Sequence, residues 1–510
     1  MFSGLLIFCV LTSHISEPPL ICYDENKKEV IINPYIDLDK QLNNENCFYV
    51  IGDVIDLKGE TIICPNNIRL GFRGGKLKNG VIKGAQTSVD GDACFESSII
   101  LLGSWVEPKI EWYDIDREGK NPVDKEFNTI LSLSDSIVIP SGRYLLNKGL
   151  TIERPCKIDG CGSILLSSTT DAPAAFSIDA NNVKISNLSI ECNNKAKIYH
   201  GRIHGLIVAG DNFYGSNITV VNANQNGFDI RGAGCVLEKC KSINPGYAGF
   251  RTINVLKKRM KKEEACCTLY DCQSIGYKRK GFVNNGGMGV LIIKGFTAIP
   301  LNDHSEAAIL LESNENSHNY EVYISDVEAL GIPGNVIKQK AFKKAVYANC
   351  NLESKYGAVF RFHPHRNKKN GERNAYIEIS NCKLKGCTYC INGNADVQSL
   401  ETQDTLYVHN SELIQSSGNA IIDVIKNVVI ISKSTLDLPE ENSKAVIIRS
   451  PHVTNVRVEN STISTTKVFG YSVKGQNRFE DGIFQLINTA YSGKLFGIRR
   501  YDSLVKVIED

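Results

Sequence analysis

At 510 residues, 42% hydrophobic and 22% charged, the chain can bury a large core and has no long stretch of the biased composition that marks disorder. A formal net charge of +2 offers no whole-molecule attraction to nucleic acid or to an anionic membrane, so any electrostatic function must come from local clustering. Beyond the N-terminus nothing approaches the roughly 18 uninterrupted apolar residues of a membrane helix, which predicts no transmembrane segment.

The first sixteen residues, MFSGLLIFCVLTSHIS, hold an apolar run from Leu5 to Leu11 followed by small polar residues. That order is similar to a secretory signal peptide, although no basic residue precedes the apolar core, and it predicts a secreted or cell-surface protein, or a virion protein if the source is a phage. Residues 17–105 read as a β-rich N-terminal cap or a first set of coils. In DLKGETIICPNNIRLGFRGGKLKNGVIKG, from Asp56 to Gly84, Leu57, Ile62, Leu70, Phe72, Leu77, Val81 and Ile82 punctuate glycine turns.

From Trp112 the pattern becomes turn, short helix, strand, turn, strand. DKEFNTILSLS, from Asp124 to Ser134, sets Phe127, Ile130, Leu131 and Leu133 near one face of a helix. A strand follows, ending in Ile139, Pro140, Gly142 and Tyr144.

Past position 180 a repeat takes over. In ISNLSI, GSNITV, EKCKSI, YDCQSI and seven further segments, the residue after an Asn, Asp, Lys or Gly is Leu188, Ile218, Cys240, Cys272, Phe296, Val327, Cys350, Cys382, Ser411, Ser434 and Ser461. Their spacing has a minimum of 22 residues with variable additions, as in a solenoid whose coils carry loops of different length. A second ladder, Phe228, Phe250, Phe282 and Phe360, follows about ten residues later within short strands of period-2 alternation.

These patterns predict an all-β chain, a right-handed parallel β-helix over residues 106–510. It would have roughly twelve coils and, at about 4.8 Å each, a length on the order of 55–60 Å. With Ile139, Pro140, Gly142 and Tyr144, and with Gly119, Asp124 and Ile130 before them, the chain resembles the pectate-lyase-like β-helix superfamily. It departs from the family pattern at Lys120, Asn121 and Lys125. The superfamily includes polysaccharide lyases, polygalacturonase-like hydrolases and phage tail-spike depolymerases, so the resemblance implies a polysaccharide partner without choosing a reaction.

Seventeen cysteines in an exported chain suggest disulfides, yet Cys240, Cys272, Cys350 and Cys382 share the slot of Leu188 and Phe296, which predicts buried, reduced thiols. The Cys387 and Cys390 pair has no second pair at zinc spacing. Sequons at Asn187, Asn217 and Asn460 coincide with turn positions of the repeat.

With the phenylalanines inward, the residues one and three places later face outward. They are Asp229 and Arg231, Arg251, Val283 and Asn285, Lys338 and Lys340, and Arg361 and His363. Long basic additions sit beside this stripe, starting at Asn193, Val255, Pro300 and His363, and bring His204, His365 and Arg366. Guanidinium and ammonium groups of this kind suit an acidic polysaccharide. A β-elimination lyase needs a cation on the uronate carboxylate, a base and an acid, roles open to Arg251, Arg361, His363 and His204. A glycoside hydrolase needs two carboxylates, drawn from Asp229, Asp303, Glu306 and Glu312. Asp229 stands with Arg251, Arg361 and His363 as the candidate catalytic set, and His204, Arg231, Lys338, Lys340, His365 and Arg366 as candidate substrate-binding residues. The same spacing allows Asp229 simply to pair with Arg231 or Arg251. Calcium is left open as a cofactor, as is oligomeric state, and a noncatalytic glycan-binding adhesin or tail-spike fibre is the competing reading.

Overall fold

The computed structural model describes residues 29–169, 172–192, 203–253, 255, 260–312, 319–340, 342–363, 376–393, 405–418, 420–424, 428–438, 440–441, 443–448, 455–471, 483–496 and 505–509. The expected signal peptide, His365 and Arg366 lie outside them.

Asparagine turns set the coil. The residue before each rung of the first ladder has a positive φ, as at Asn187 (54°), Asn217 (50°), Asp326 (56°), Asn349 (54°) and Asn381 (53°). Asparagine tolerates this left-handed conformation better than other residues with a side chain, and here the amides also stack. Asn217 donates to Asn187 at 2.9 Å and Asn410 to Asn381 at 2.7 Å. Each such turn redirects the chain and drops the next residue into the interior. Leu188, Ile218, Cys240, Cys272, Phe296, Val327, Cys350 and Cys382 are all buried.

The strands that follow pair in parallel with the coil before and the coil after, making one continuous set from Ser136 to Ile508. One inward column runs Leu150, Phe176, Leu206, Phe228, Phe250, Phe282, Ile309, Ile337, Phe360, Ile391, Ile422, Val446 and Phe469. Its twelve steps span on the order of 58 Å. Phe228 and Phe250 stack with ring centroids 4.7 Å apart and planes 7° apart. The protein is a parallel β-helix.

A sharp corner precedes this column. An added Cβ on Gly249 would lie 2.1 Å from Ser274 Oγ, and one on Gly227 equally close to Ser242 Oγ. Glycine is required there because the coil closes backbone against side chain. The corner turns the residue before each of these glycines, such as His204 or Asn226, onto the outer face.

Residues 29–113 form smaller parallel coils of the same kind, with Phe48 in register with Arg69 and Thr61 with Val81. The helix spans Asp124–Leu133, burying Phe127, Ile130 and Leu131, while Leu133 is half-exposed. Its first residue, Asp124, accepts the backbone N–H groups of Asn147 and Lys148 at 2.9 and 2.8 Å. Tyr144 packs on Phe127 and donates to the Pro140 carbonyl at 2.6 Å, so the Pro-x-Gly-x-Tyr run is a packing device at the entry to the coils.

Fifteen cysteines lie among the described residues, all as free thiols, and eleven are buried. Cys240 and Cys272 share the inward ladder, and Cys235 is in register with Cys267. Burial pushes the Cys390 thiol up to about 12, keeping it protonated and unreactive.

Candidate functional site: three polar stations on one sheet

The outer face of the sheet that carries the phenylalanine column has two main rows. One row, directly after the inward residues, runs Ile207, Asp229, Arg251, Val283, Leu310, Lys338, Arg361, Asn392, Asp423 and Ile447. The other, two residues before them, includes Ala174, His204, Asn226, Ala248, Lys280 and Ala307, and further along Lys444 and Lys467.

The first station forms around Asp229, whose carboxylate is fully buried although it sits on the outer face. Arg231 donates through Nε and Nη2 to Oδ2 at 2.9 and 2.7 Å. Arg251 Nε, in register on the next coil, lies 3.3 Å from Oδ1, and His204 Nε2, on the preceding coil, lies 3.9 Å from Oδ2. The guanidiniums face solvent, with side chains 44% exposed for Arg231 and 20% for Arg251, while the carboxylate behind them is 0% exposed. One carboxylate against two guanidiniums leaves a surplus positive charge with histidine neutral. Asn226, from the slot of His204 on the adjoining coil, is also fully buried, and neither atom of its amide has a hydrogen-bond partner among the described residues.

The second station gathers Lys338, Lys340 and Arg361. Lys338 is in register with Arg361, and Lys340 with His363. Lys340 donates to Glu312 at 2.8 Å. Burial, reinforced by the Lys340 and Arg361 charges, holds the Lys338 ammonium below the usual lysine range.

Four coil steps, about 19 Å, separate Arg251 from Arg361. A single reacting centre containing Asp229, Arg251, Arg361 and His363 is therefore not formed: Asp229 and Arg251 meet, and Arg361 and the His363 backbone belong with the second station. Between the two, Val283, Leu310, Ala248 and Ala307 pack into a buried apolar cluster on the outer face. The basic stripe expected from the sequence is thus two clusters with an apolar break.

Carboxylates proposed for hydrolysis are dispersed and engaged. Asp303 pairs with Lys355 at 2.9 Å, Glu306 with Lys280 at 3.2 Å, and Glu312 with Lys340. Lys280 shares the slot of His204, but its ammonium is committed to Glu306 and donates to the Tyr247 hydroxyl at 2.7 Å.

A third station, missed in the sequence, lies towards the C-terminal end. Asp423, fully buried, follows Asn392 in the same row as Asp229, and Lys444 and Lys467 are in register beside it. The available signal was positional: Asp423 fills the slot of Asp229, and Lys444 and Lys467 that of His204, but the coils of Asp423 and Lys444 have Ile422 and Val446 inward rather than Phe.

Calcium does not fit the described residues around Asp229. The ion takes six to eight oxygens, whereas the Asp229 carboxylate is occupied by guanidiniums. Among the described residues no three His, Cys, Asp or Glu side chains converge on one point, Cys387 and Cys390 included.

No family model matches this sequence, and no curated protein matches it. Solved structures of low similarity are found. The A-module of the mannuronan C-5 epimerase AlgE6 from Azotobacter vinelandii is 12% identical with a TM-score of 0.45, covering 76% of this chain and 99% of its own. The catalytic unit of a GH87 α-1,3-glucanase from Streptomyces thermodiastaticus is 12% identical with a TM-score of 0.42, covering 76% and 68%. The Dettilon tailspike protein is 11% identical with a TM-score of 0.35, covering 73% and 66%. At these identities and TM-scores the likeness says nothing of what this chain does, and its fold rests on its own strand pairing. No described helix is long and apolar enough to cross a membrane.

Proposed function

We propose that this protein is an exported carbohydrate-active β-helix that binds an acidic polysaccharide along the outer face bearing the three stations, and cleaves it by β-elimination at the first. The observation that carries the reading is the Asp229 arrangement: a buried carboxylate holding two guanidiniums whose outer edges face solvent. Such a pair presents forked donors to a uronate carboxylate. Neutralising that carboxylate acidifies the adjoining C–H, which is the demanding step of an elimination.

In this scheme Arg251 and Arg231 neutralise the uronate, and the His204 imidazole takes the proton. The bond to the glycosidic oxygen then breaks, and that oxygen takes a proton from water while His204 returns its own to water. Asp229 holds the guanidiniums in place. Hydrolysis is less well served, since it needs a second carboxylate about 5–9.5 Å from the first. Among the described residues the side chains that meet the Asp229 carboxylate are two arginines and a histidine.

The test is incubation of the purified protein with polygalacturonate, alginate, hyaluronan, chondroitin sulfate and neutral xylan, with and without calcium, following ultraviolet absorbance of unsaturated sugar and new reducing ends. Unsaturated product from an acidic polymer, abolished by Arg251→Ala, is the expected result. Reducing ends without that absorbance would replace elimination by hydrolysis. Binding with no product would make the protein a glycan-binding adhesin or fibre.

A further inference from the structure

The third station is remote from the Asp229 chemistry and poorly explained as structure. Lys444 and Lys467 are in register on adjacent coils, so two like charges sit side by side on one sheet face, an arrangement that destabilises a parallel stack. Burial, and then the Lys467 charge, hold the Lys444 ammonium below the usual lysine range, while Asp423 pulls the other way. The buried Asp423 carboxylate favours the charged form of Lys444, whose in-register neighbour is a second ammonium.

The lysine is also seated. An added Cβ on Gly470 would lie 2.2 Å from Lys444 Cδ, so the aliphatic stem of Lys444 lies across the sheet over the Gly470 backbone. Any side chain at position 470 would displace it. A lysine left to wave in solvent needs no such trough, and a stem held this way gives up rotamer freedom on folding. Fixing a cation beside another cation is useful where an anion comes to lie between them.

We propose that Lys444 and Lys467, backed by Asp423 and seated by Gly470, form a distal subsite for the negatively charged groups of a linear acidic glycan whose reacting bond lies at the first station. This rests on the reading that the outer face is the polysaccharide-binding face. Eight coil steps separate Arg251 from Lys467, about 38 Å, so a short oligomer reaches one end only and a long one engages both. Affinity then rises with chain length because the second contact is intramolecular once the first is made.

The deciding experiment measures binding of a tetramer and a dodecamer, prepared from polygalacturonate and from alginate, by titration calorimetry with the full chain. Wild type is compared with Lys444→Gln/Lys467→Gln and with Lys467→Gln alone, which leaves the seated Lys444 in place and guards against a folding defect. The expected result is a loss of at least fivefold in dodecamer affinity for the double variant, a smaller loss for the single, and tetramer affinity within twofold of wild type. Equal dodecamer affinity in wild type and both variants overturns the subsite while leaving the glycan face standing, as does an equal loss for both oligomers. Wild type that binds neither oligomer overturns the glycan face and the subsite together.

Discussion

Arg231 sends two N–H groups, Nε and Nη2, to a single oxygen of Asp229 two residues earlier on the same strand, at 2.9 and 2.7 Å. The other oxygen faces Arg251 on the next coil at 3.3 Å. One carboxylate therefore ties a local contact to a contact between coils, and its loss would leave two cations facing each other.

Asp229→Asn is expected to abolish cleavage and to lower stability by about 1–3 kcal/mol. That is less than the usual cost of breaking a fully buried pair, because both arginines are partly solvated. Urea denaturation checks it, and stability equal to wild type would show that the guanidiniums do not depend on this carboxylate.

Lys338 supplies a pH signature. Its folded-state pKa is depressed, so in the folded protein the lysine begins to lose its proton below the usual lysine range. The charged form is penalised at neutral pH, and the penalty is relieved as pH rises through the folded pKa towards the unfolded value. A bound anion favours the charged form, so affinity for the acidic polymer is expected to fall as pH rises through that same window, with proton uptake on binding. Binding isotherms across the alkaline range should show the decline in wild type and a flatter profile in Lys338→Arg. Identical profiles would remove Lys338 from the binding face.

Asn226 offers a contrast between stability and binding. A buried amide without partners costs about 1–3 kcal/mol, so Asn226→Ala is expected to hold or raise the unfolding midpoint while weakening glycan binding. A lower midpoint with unchanged binding would mean that the amide serves the fold.

Phe250→Ala tests the inward column. Fully buried and stacked on Phe228, this ring should cost about 3–5 kcal/mol on truncation. A loss below about 1 kcal/mol in chemical denaturation would contradict the packing.

Much of the fold was legible because the coil repeats a local instruction: a residue tolerant of positive φ, then a buried one. Asp229, Arg231, Arg251 and His204 could be brought together by alternation and register alone. The break between Arg251 and Arg361 was less visible because one of the three intervening coils, AAILLE from Ala307, has Ala308 and Ile309 where its predecessors have Gly and Phe. Losing that marker hid Leu310, and the same change, to Ile422 and Val446, hid Asp423 and Lys444. Asn226 carried no signal of its own, since its enclosure depends on neighbours from other coils.

Parallel stacking also decides how the molecule wears. Each coil leans only on the coil before and the coil after, so damage at an open end travels inward one layer at a time, as fraying does in a rope. Among the described residues the strand Val505–Ile508 pairs with Phe484–Ile487. Heat or a protease working inward from the C-terminal side of the third station meets Lys467 and Lys444 many layers before Asp229. On the proposed function, a worn molecule would thus lose its hold on long chains first and keep its action on short ones.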